Sequence, residues 1–152
     1  MLVIKLDRTL SLVEKMCKIG NILNQEMKTA WDYGIGFPLY HSEVQLLDVI
    51  NNHEGANASE LAKILGVTCG AVGQVIKKLM SKALIESYQL PDNKKEIYFR
   101  LTELGRRASV GHRKHHETLN AGVLNYLDQL EDADLQRISK IFDVIIDEMQ
   151  KT

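Results

Sequence analysis

The sequence of 152 residues lacks most features that would mark a secreted, membrane-bound or metal-holding protein. Its two cysteines, Cys17 and Cys69, are too few for a disulfide framework and do not have the spacing of a metal site. No apolar run approaches the roughly 20 residues of a membrane span. The N-terminal segment MLVIKLDRTL lacks the long apolar core and the cleavage site of a signal peptide. We therefore expect a cytoplasmic protein with no membrane partner.

Catalytic signatures are missing as well. The sequence has no paired carboxylates in a suitable loop, no phosphate-binding glycine loop and no nucleophile elbow. We therefore expect neither enzymatic activity nor a cofactor. It also has no internal repeat and no low-complexity linker, and its length suits one domain with flanking helices.

The net charge of −1 hides an uneven distribution of charge along the chain. From Ser59 to Arg107 there are nine Lys or Arg and five Asp or Glu, a local charge of +4. The remaining residues carry ten basic and fifteen acidic side chains, a charge of −5. A local basic surplus of this kind is typical of a nucleic-acid footprint, although chance clustering produces the same count.

The stretch Ala58–Ala83, ASELAKILGVTCGAVGQVIKKLMSKA, predicts two short helices joined by a tight turn. Asn57 is a suitable N-cap, and Glu60 stands three residues later, which is the capping-box spacing. Gly66 ends the first helix, because glycine accepts the left-handed backbone of a helix stop. Thr68 can cap the second helix.

Small and apolar residues in this stretch predict a helix-turn-helix. Ala62 allows close helix approach, and Val72 and Val75 close the angle between the helices. Glutamine can pair with adenine, and lysine can reach guanine or phosphate. An ordinary helical hairpin with a solvated basic face remains the alternative. The predicted outward face of the second helix carries Thr68, Gly70, Ala71, Gln74, Lys77 and Lys78.

A β-hairpin is predicted directly after these helices. Leu84–Gln89 and Glu96–Leu101 have strand composition, and Pro91-Asp92-Asn93 has turn chemistry. A hairpin at this place is the wing of a winged helix, whose lysines reach phosphate or the minor groove. The alternative is an exposed hairpin whose charges only keep it soluble. The predicted charged tip contains Asp92, Asn93, Lys94 and Lys95.

Long amphipathic helices are predicted on both sides of this region, so the expected fold class is mainly α, an α+β winged helix. Their apolar stripes need a partner surface, for which a second copy of the chain is the expected partner. Cys17 lies on the first stripe and is expected to be buried and inert. The expected helices run over Asp7–Trp31, from His41 or Ser42 to about Asn52, from Glu103, capped by Thr102, to about Leu130, and from Asp132 or Asp134 to about Met149.

In the order of its elements the chain resembles the MarR family of bacterial transcriptional regulators. SELAKILGVTCGAVGQVIKKLMSKALIE is similar to the family's recognition segment, IYFRLTELGR to its second wing strand and following helix, and LYHSEVQLLDVI to its second helix. The resemblance implies one chain over residues 1–152, a winged helix-turn-helix over 40–101, and dimerisation helices over 1–34 and 102–152. It also implies a homodimer that binds double-stranded DNA at a near-palindrome with half-sites about 10 base pairs apart. Such proteins are usually repressors that a ligand or an oxidant releases from DNA.

The chain departs from the family pattern at two places. The family's wing usually carries Asp-x-Arg, whereas here Asp92-Asn93-Lys94 puts lysine in the position of the arginine. Lysine lacks the planar fork of arginine, so we expect weaker minor-groove reading, with Lys95 sharing the role. Gly70 and Gly73 are unusual in a recognition helix and cost it roughly 1 kcal/mol each against alanine.

Two sensing mechanisms involve aromatic residues and a cysteine. A small-molecule effector is one possibility, because aromatic residues including Tyr40 cluster where the family's pocket lies; the alternative is hinge and core packing. Oxidation of Cys69 is the second, because a helix N-terminus favours the reactive thiolate. The alternative there is a small residue that fits the turn. The aromatic cluster consists of Trp31, Tyr33, Phe37 and Tyr40, with His41 beside it.

A third mechanism is a zinc-responsive regulator. His112 and His116 are one helical turn apart, but such a pair supplies only two of four zinc ligands, and His41 is a candidate for a third. The alternative is a solvated or DNA-proximal cluster of histidine and basic residues, with Arg113 and Lys114. A different class of function is a winged-helix protein-interaction module that does not bind DNA, against which the basic residues Lys77, Lys78 and Lys82 count.

Overall fold

The computed structural model describes residues 2–151, with side chains from residue 7, so Met1 and Thr152 at the predicted boundaries lie outside the described residues. Over that range the chain forms six helices and one two-stranded antiparallel sheet, which confirms the predicted fold class. It divides into two compact units, Met1–His112 and Arg113–Thr152. The elements are α1 (Leu2–Lys28), α2 (His41–Asn52), α3 (Ala58–Leu65), α4 (Cys69–Ser81), β1 (Ile85–Leu90), β2 (Asn93–Leu101), α5 (Glu103–Leu127) and α6 (Asp132–Gln150).

The core of the first unit lies between α2, α3, α4 and the hairpin. Apolar side chains at helical spacing on α2 and α4 face one another there, and Ala62 of α3 is buried among them. Ile64 of α3 is exposed. The fully buried side chains include Leu39, Val44, Leu46, Leu47, Leu61, Val72, Leu79 and Leu84.

The predicted caps of α3 and α4 are confirmed. Asn57 Oδ1 accepts the Glu60 N–H at 3.0 Å, and Glu60 Oε2 accepts the Asn57 N–H at 2.9 Å. Gly66 adopts the left-handed conformation with φ +66°, and Thr68 Oγ1 accepts the Ala71 N–H at 3.2 Å. These caps fix both sides of the turn, and α3 and α4 meet at a bend of 111°, within the range of a helix-turn-helix.

Over residues 2–151 we find no single helix that is both long and apolar enough to cross a membrane. By length and composition alone, α3 and α4 taken together match a span, as a pair bent by 111°.

The hairpin differs from the prediction at its tip. Leu90 pairs with Asn93, so β2 begins at Asn93 and only Pro91 and Asp92 form the turn. The side-chain amide of Gln89 (Nε2) donates to the Lys94 carbonyl at 2.8 Å, next to a register irregularity between Tyr88 and Leu90. Lys94 and Lys95 are therefore strand residues and not loop residues.

The hairpin is also tied to the helix-turn-helix. Asn57 forms an isolated antiparallel bridge with Tyr98 of β2, and its side-chain amide donates to Glu96 Oε2 at 3.0 Å. Asn57 thus caps α3 and holds the wing at the same time. A two-stranded hairpin is marginal alone, and this contact provides part of the support it needs.

α5 begins in close contact with the segment between α4 and β1. Thr102 Oγ1 accepts the Gly105 N–H at 3.1 Å, which confirms the predicted cap, and donates to the Ala83 carbonyl at 2.8 Å. A Cβ at Gly105 would overlap the carbonyl oxygen of Leu84. Only glycine therefore permits this approach of α5.

α1 ends at Lys28, earlier than predicted. Trp31 belongs instead to the connection to α2, where its N–H donates to the Leu39 carbonyl at 3.0 Å and its carbonyl accepts the Leu39 N–H at 2.9 Å. The same connection packs closely against α5, because a Cβ at Gly111 of α5 would overlap the carbonyl oxygen of Tyr33 in the connection. The prediction failed at this end because the local helical pattern gave no indication of the bridge.

The terminal helices carry apolar side chains on their surfaces. Cys17 of α1 is exposed, contrary to the prediction of a core cysteine. No residue of α6, Asp132–Gln150, is buried. The exposed apolar side chains include Leu10, Leu12, Val13, Ile19, Ile22, Leu23 and Met27 on α1, Leu119, Val123, Leu124 and Tyr126 on α5, and Ile141, Phe142, Val144, Ile146 and Met149 on α6.

Candidate nucleic-acid interface

The exposed face of α4 is the first part of the candidate interface. Val72, Ile76 and Leu79 are buried against the core and fix which face of α4 points outward. The outward face contains the predicted contact residues, because spacings of three and four align side chains on one face of a helix. All of these residues are exposed: Thr68, Gly70, Ala71, Gln74, Lys77 and Lys78.

The two glycines of α4 are not required by packing within the chain. A Cβ at Gly73 would meet nothing within 4 Å, and a Cβ at Gly70 would meet only Thr68 Oγ1, at 4.0 Å. Gly70 lies on the outward face with Gln74, whereas Gly73 is half-buried at its edge. Packing within the chain therefore gives no reason for glycine at either position.

The wing supplies the second part. Asp92, Lys94 and Lys95 are all exposed. Lys94 and Lys95 are consecutive in β2, and side chains of successive strand residues point to opposite faces. The two lysines therefore point to opposite faces of the hairpin and are not equivalent.

Many basic side chains in the positive region are held by contacts within the protein. Arg100 Nε lies 2.7 Å from Glu86 Oε1, and the Arg100 guanidinium lies 5.5 Å from the centre of the Tyr88 ring. Arg106 pairs with Glu103 at 3.2 Å, and Arg107 donates to the Gly34 carbonyl at 3.1 Å. In the described part of the chain Lys77, Lys78, Lys94 and Lys95 form no ion pair.

Lys82 does not have the role that was predicted for it as part of the basic face of α4. Its Nζ lies 2.7 Å from Glu43 Oε1 and 5.9 Å from the centre of the Phe37 ring. Lys82 is therefore an internal partner and does not add to the basic face of α4. Sequence reasoning missed this pair because its members are 39 residues apart.

A polar cluster joins α2 to α5. His112 is buried, and its Nδ1 lies 2.7 Å from Asp48 Oδ2, while Ser109 Oγ donates to Asp48 Oδ1 at 2.5 Å. Ser109 and His112 thus bind different oxygens of one carboxylate, and these contacts link α2 to α5. The alternative of a solvated histidine cluster is wrong for His112. Asp48 and Ser109 went unnoticed in the sequence because neither belongs to a recognisable motif.

Aromatic rings surround the same histidine. Tyr33 is edge-on to His112 at 5.2 Å between ring centres, and the His41 ring lies 6.5 Å away. Burial raises the pKa of Tyr33, and the charges of Asp48 and Glu26 add to the effect. Over residues 7–151 there is no group of three or more His, Cys, Asp or Glu side chains arranged to hold a metal ion.

The remaining predicted sensing residues are partly accessible. Cys69 is exposed as the first residue of α4, and its Sγ lies 4.0 Å from Ser59 Oγ. Tyr40 is exposed, and its backbone N–H donates to Glu43 Oε2 at 2.9 Å. Phe37 packs against the core, as the hinge-and-core alternative requires.

Comparisons with known proteins agree with this architecture. The MarR family model matches residues 39–97. The HTH-type transcriptional regulator PchR of Bacillus subtilis (strain 168) is 30% identical over 127 residues, which cover 83% of this chain and 75% of PchR. Lactococcus lactis ZitR, a zinc-responsive MarR family member, superposes with a TM-score of 0.76 at 19% identity, over 93% of this chain and 98% of its own.

Two similar structures contain DNA. ZitR has also been solved in complex with DNA, with a TM-score of 0.76 at 18% identity. Streptococcus pneumoniae FabT in complex with DNA superposes with a TM-score of 0.70 at 20% identity, over 94% of this chain and 98% of FabT. At these identities the structures establish the fold, whereas the family follows from the sequence match to PchR and the family model. The chain belongs to the MarR family of transcriptional regulators.

Proposed function

We propose that this protein is a sequence-specific regulator that binds double-stranded DNA with α4 in the major groove. The observation that carries the proposal is the outward face of α4, where Gln74 stands beside the unpaired Lys77 and Lys78. Glutamine reads adenine by two hydrogen bonds, and lysine binds guanine or phosphate. Lys94 and Lys95 on the wing supply further contacts to the DNA backbone or minor groove, next to Asp92.

We further propose that the protein acts as a homodimer. The support is the set of large apolar side chains exposed on α1, on the second half of α5 and on α6, since exposed patches of this kind mark interaction sites. In this proposal residues 40–101 bind DNA, and residues 1–34 and 102–152 form the dimer. A two-fold dimer reads a near-palindrome with half-sites about 10 base pairs apart.

The oligomeric state can be tested by sedimentation equilibrium of the full chain. Leu23→Asp on α1 and Phe142→Asp on α6 place a charge in the proposed interface, so both are expected to shift the mass from dimer to monomer. Leu90→Asp is the matched control, because Leu90 is equally apolar and exposed but lies on the wing. A monomeric wild-type chain would contradict the dimer.

DNA binding can be tested by selecting duplexes from a random pool at about 0.15 M salt, where weak surface electrostatics are screened. Enrichment of one near-palindrome is the expected result. Lys77→Ala with Lys78→Ala should weaken binding to every sequence and lower the salt slope. Lys15→Ala with Lys18→Ala on α1 is the charge-matched control, with sedimentation equilibrium to show that this variant keeps the oligomeric state of the wild type. No binding even at low salt would favour the protein-interaction module without DNA.

The regulatory part of the proposal is repression by promoter occupancy, relieved by an effector that favours the DNA-free state. We also propose that the protein is located in the cytoplasm, catalyses no reaction and needs no cofactor. The similarity of the chain to PchR, an HTH-type transcriptional regulator, supports this class of function. Cys69 and Tyr40 stay the candidates for an oxidant and a small-molecule effector.

Zinc responsiveness is a second candidate for the regulatory signal. ZitR is described as zinc-responsive, and in this chain the rings of His41 and His112 lie 6.5 Å apart. The contact of His112 Nδ1 with Asp48 is compatible with a zinc ligand, because a metal-binding histidine commonly hydrogen-bonds a carboxylate through its other ring nitrogen. The described side chains, however, form no group of three or more potential ligands. Calorimetric titration of the protein with zinc tests whether it binds the metal. Zinc binding by the wild type that is lost in His112→Ala and His116→Ala would support the zinc hypothesis. Absence of zinc binding by the wild type would refute it.

A further inference from the structure

We propose that the Glu43–Lys82 ion pair is a positioning device that holds the C-terminal end of the recognition helix α4 in its DNA-binding orientation. The inference rests on the proposed DNA-binding function. It assigns Glu43 and Lys82 a role in DNA affinity although neither side chain contacts DNA in this arrangement.

Glu43 is the centre of this device. It is 1% exposed, and each of its carboxylate oxygens has a different partner. Oε2 accepts the backbone N–H of Tyr40 at 2.9 Å, at the start of α2, and Oε1 accepts Lys82 Nζ at 2.7 Å. One buried carboxylate therefore fixes the start of α2 and the end of α4 together.

Lys82 is held from two further directions. It is the C-cap of α4, its N–H donates to the Lys78 carbonyl at 3.1 Å, and its ammonium lies 5.9 Å from the Phe37 ring centre. Its side chain is only 31% exposed. Removal of Lys82 is costly, because it leaves the buried carboxylate of Glu43 without a compensating charge.

The same carboxylate reaches the connection between α1 and α2. Phe37 and Tyr40 belong to that connection, which is closed by the Trp31–Leu39 bridge and by the bond from Arg107 to the Gly34 carbonyl. A displacement of the connection therefore acts on Glu43 and, through Lys82, on the end of α4. Val72, Ile76 and Leu79 anchor the body of α4 in the core, whereas this pair is the ionic contact at its last turn.

The test is a double-mutant cycle on the affinity of the full-length protein for the duplex that the wild-type chain selects from a random pool. Lys82→Met and Glu43→Gln should each weaken binding roughly tenfold, and the double variant should lose little more than either single variant. Lys82→Arg keeps a cation opposite Glu43 and should bind like wild type. Lys82→Gln is the second neutral variant if Lys82→Met does not fold.

The salt dependence of binding separates positioning from direct contact. Loss of a phosphate contact lowers the salt slope by about 1, whereas loss of a positioning residue leaves the slope unchanged. Lys78→Met, on the exposed face of the same helix, is the matched control and should lower the slope without coupling to Glu43→Gln.

Three results would overturn the inference. A lower salt slope for Lys82→Met would make Lys82 a phosphate contact, and wild-type affinity in both single variants would make the pair irrelevant to binding. Additive losses in the double variant would separate the two residues. If the wild-type chain selects no duplex, the proposed DNA-binding function fails together with the inference; selection by the wild type with any of the three results refutes the positioning role alone.

Discussion

Gly70 and Gly73 allow a sharp test of how α4 meets DNA. Alanine fits at both positions, because an added Cβ meets nothing within 4 Å at Gly73 and only Thr68 Oγ1, at 4.0 Å, at Gly70. Glycine inside a helix costs roughly 1 kcal/mol against alanine. We therefore expect Gly73→Ala to raise the free energy of unfolding by about 1 kcal/mol, which raises Tm by about 2–4 °C. Gly70→Ala should give a smaller gain, since Gly70 is in the first turn of α4.

The two variants should differ in DNA binding. Gly70 lies on the outward face of α4 between Thr68 and Gln74, so a methyl group there separates the helix backbone from the groove. A misfit at one position of a protein–DNA interface costs about 1–3 kcal/mol, and 1.4 kcal/mol corresponds to a tenfold loss of affinity. Gly70→Ala should thus bind the selected duplex about tenfold more weakly despite its higher stability. Gly73→Ala, at the edge of the face, should bind like wild type.

Urea unfolding and fluorescence anisotropy on the same preparations give the two quantities. The design separates stability from recognition, because both substitutions stabilise the fold and only one faces the DNA. Wild-type affinity for Gly70→Ala would refute close backbone approach at that position. Equal losses in both variants would instead indicate that flexibility of α4, and not approach to the groove, is what glycine provides.

Three further predictions concern stability. Gly111→Ala should destabilise the protein by about 3 kcal/mol or more in urea unfolding, because its Cβ would overlap the carbonyl oxygen of Tyr33; a loss below about 1 kcal/mol would contradict this close approach. Ala83→Gly should stabilise it by up to about 1 kcal/mol, since Ala83 has φ +54°; an unchanged or lower midpoint would contradict this. Hydrogen bonds from the backbone N–H groups of Ile35, Gly36 and Gly34 hold the pKa of the Asp32 carboxyl below 3.8. The stabilising contribution of Asp32 is therefore present above pH 3.8 and is lost as the pH falls through the lowered pKa. Thermal melts of wild type and Asp32→Asn should therefore converge in acid, and parallel curves would contradict the assignment.

Local sequence determined much of this fold. The caps at Asn57 and Thr68, the helix stop at Gly66 and the helical spacing of Val72 and Ile76 each depend on residues within one or two turns. Short-range hydrogen bonds and periodic burial can be predicted from the local sequence without knowledge of the rest of the chain. The outward set on α4 followed from the same periodicity, which is why those residues are exposed as predicted.

The family resemblance extended this local reading to function. The order of helix, helix-turn-helix and hairpin predicted a MarR-type regulator, and the match to PchR confirmed the family. It did not predict the length of β2, because pairing of Leu90 with Asn93 depends on how the two strands align. As a result, the sequence placed Lys94 and Lys95 in a loop, whereas they lie in a strand.

Only the tertiary structure decided which charged side chains remain free for a partner. Lys82 looked equivalent to Lys77 and Lys78 in the sequence, yet it pairs with Glu43, 39 residues away. His112 looked like part of a solvated basic cluster, yet Asp48, 64 residues away, binds it in a buried site. Sequence patterns determine helices because a helix satisfies its hydrogen bonds locally. Ion pairs between helices depend on how the helices pack, and that information is distributed over the whole core.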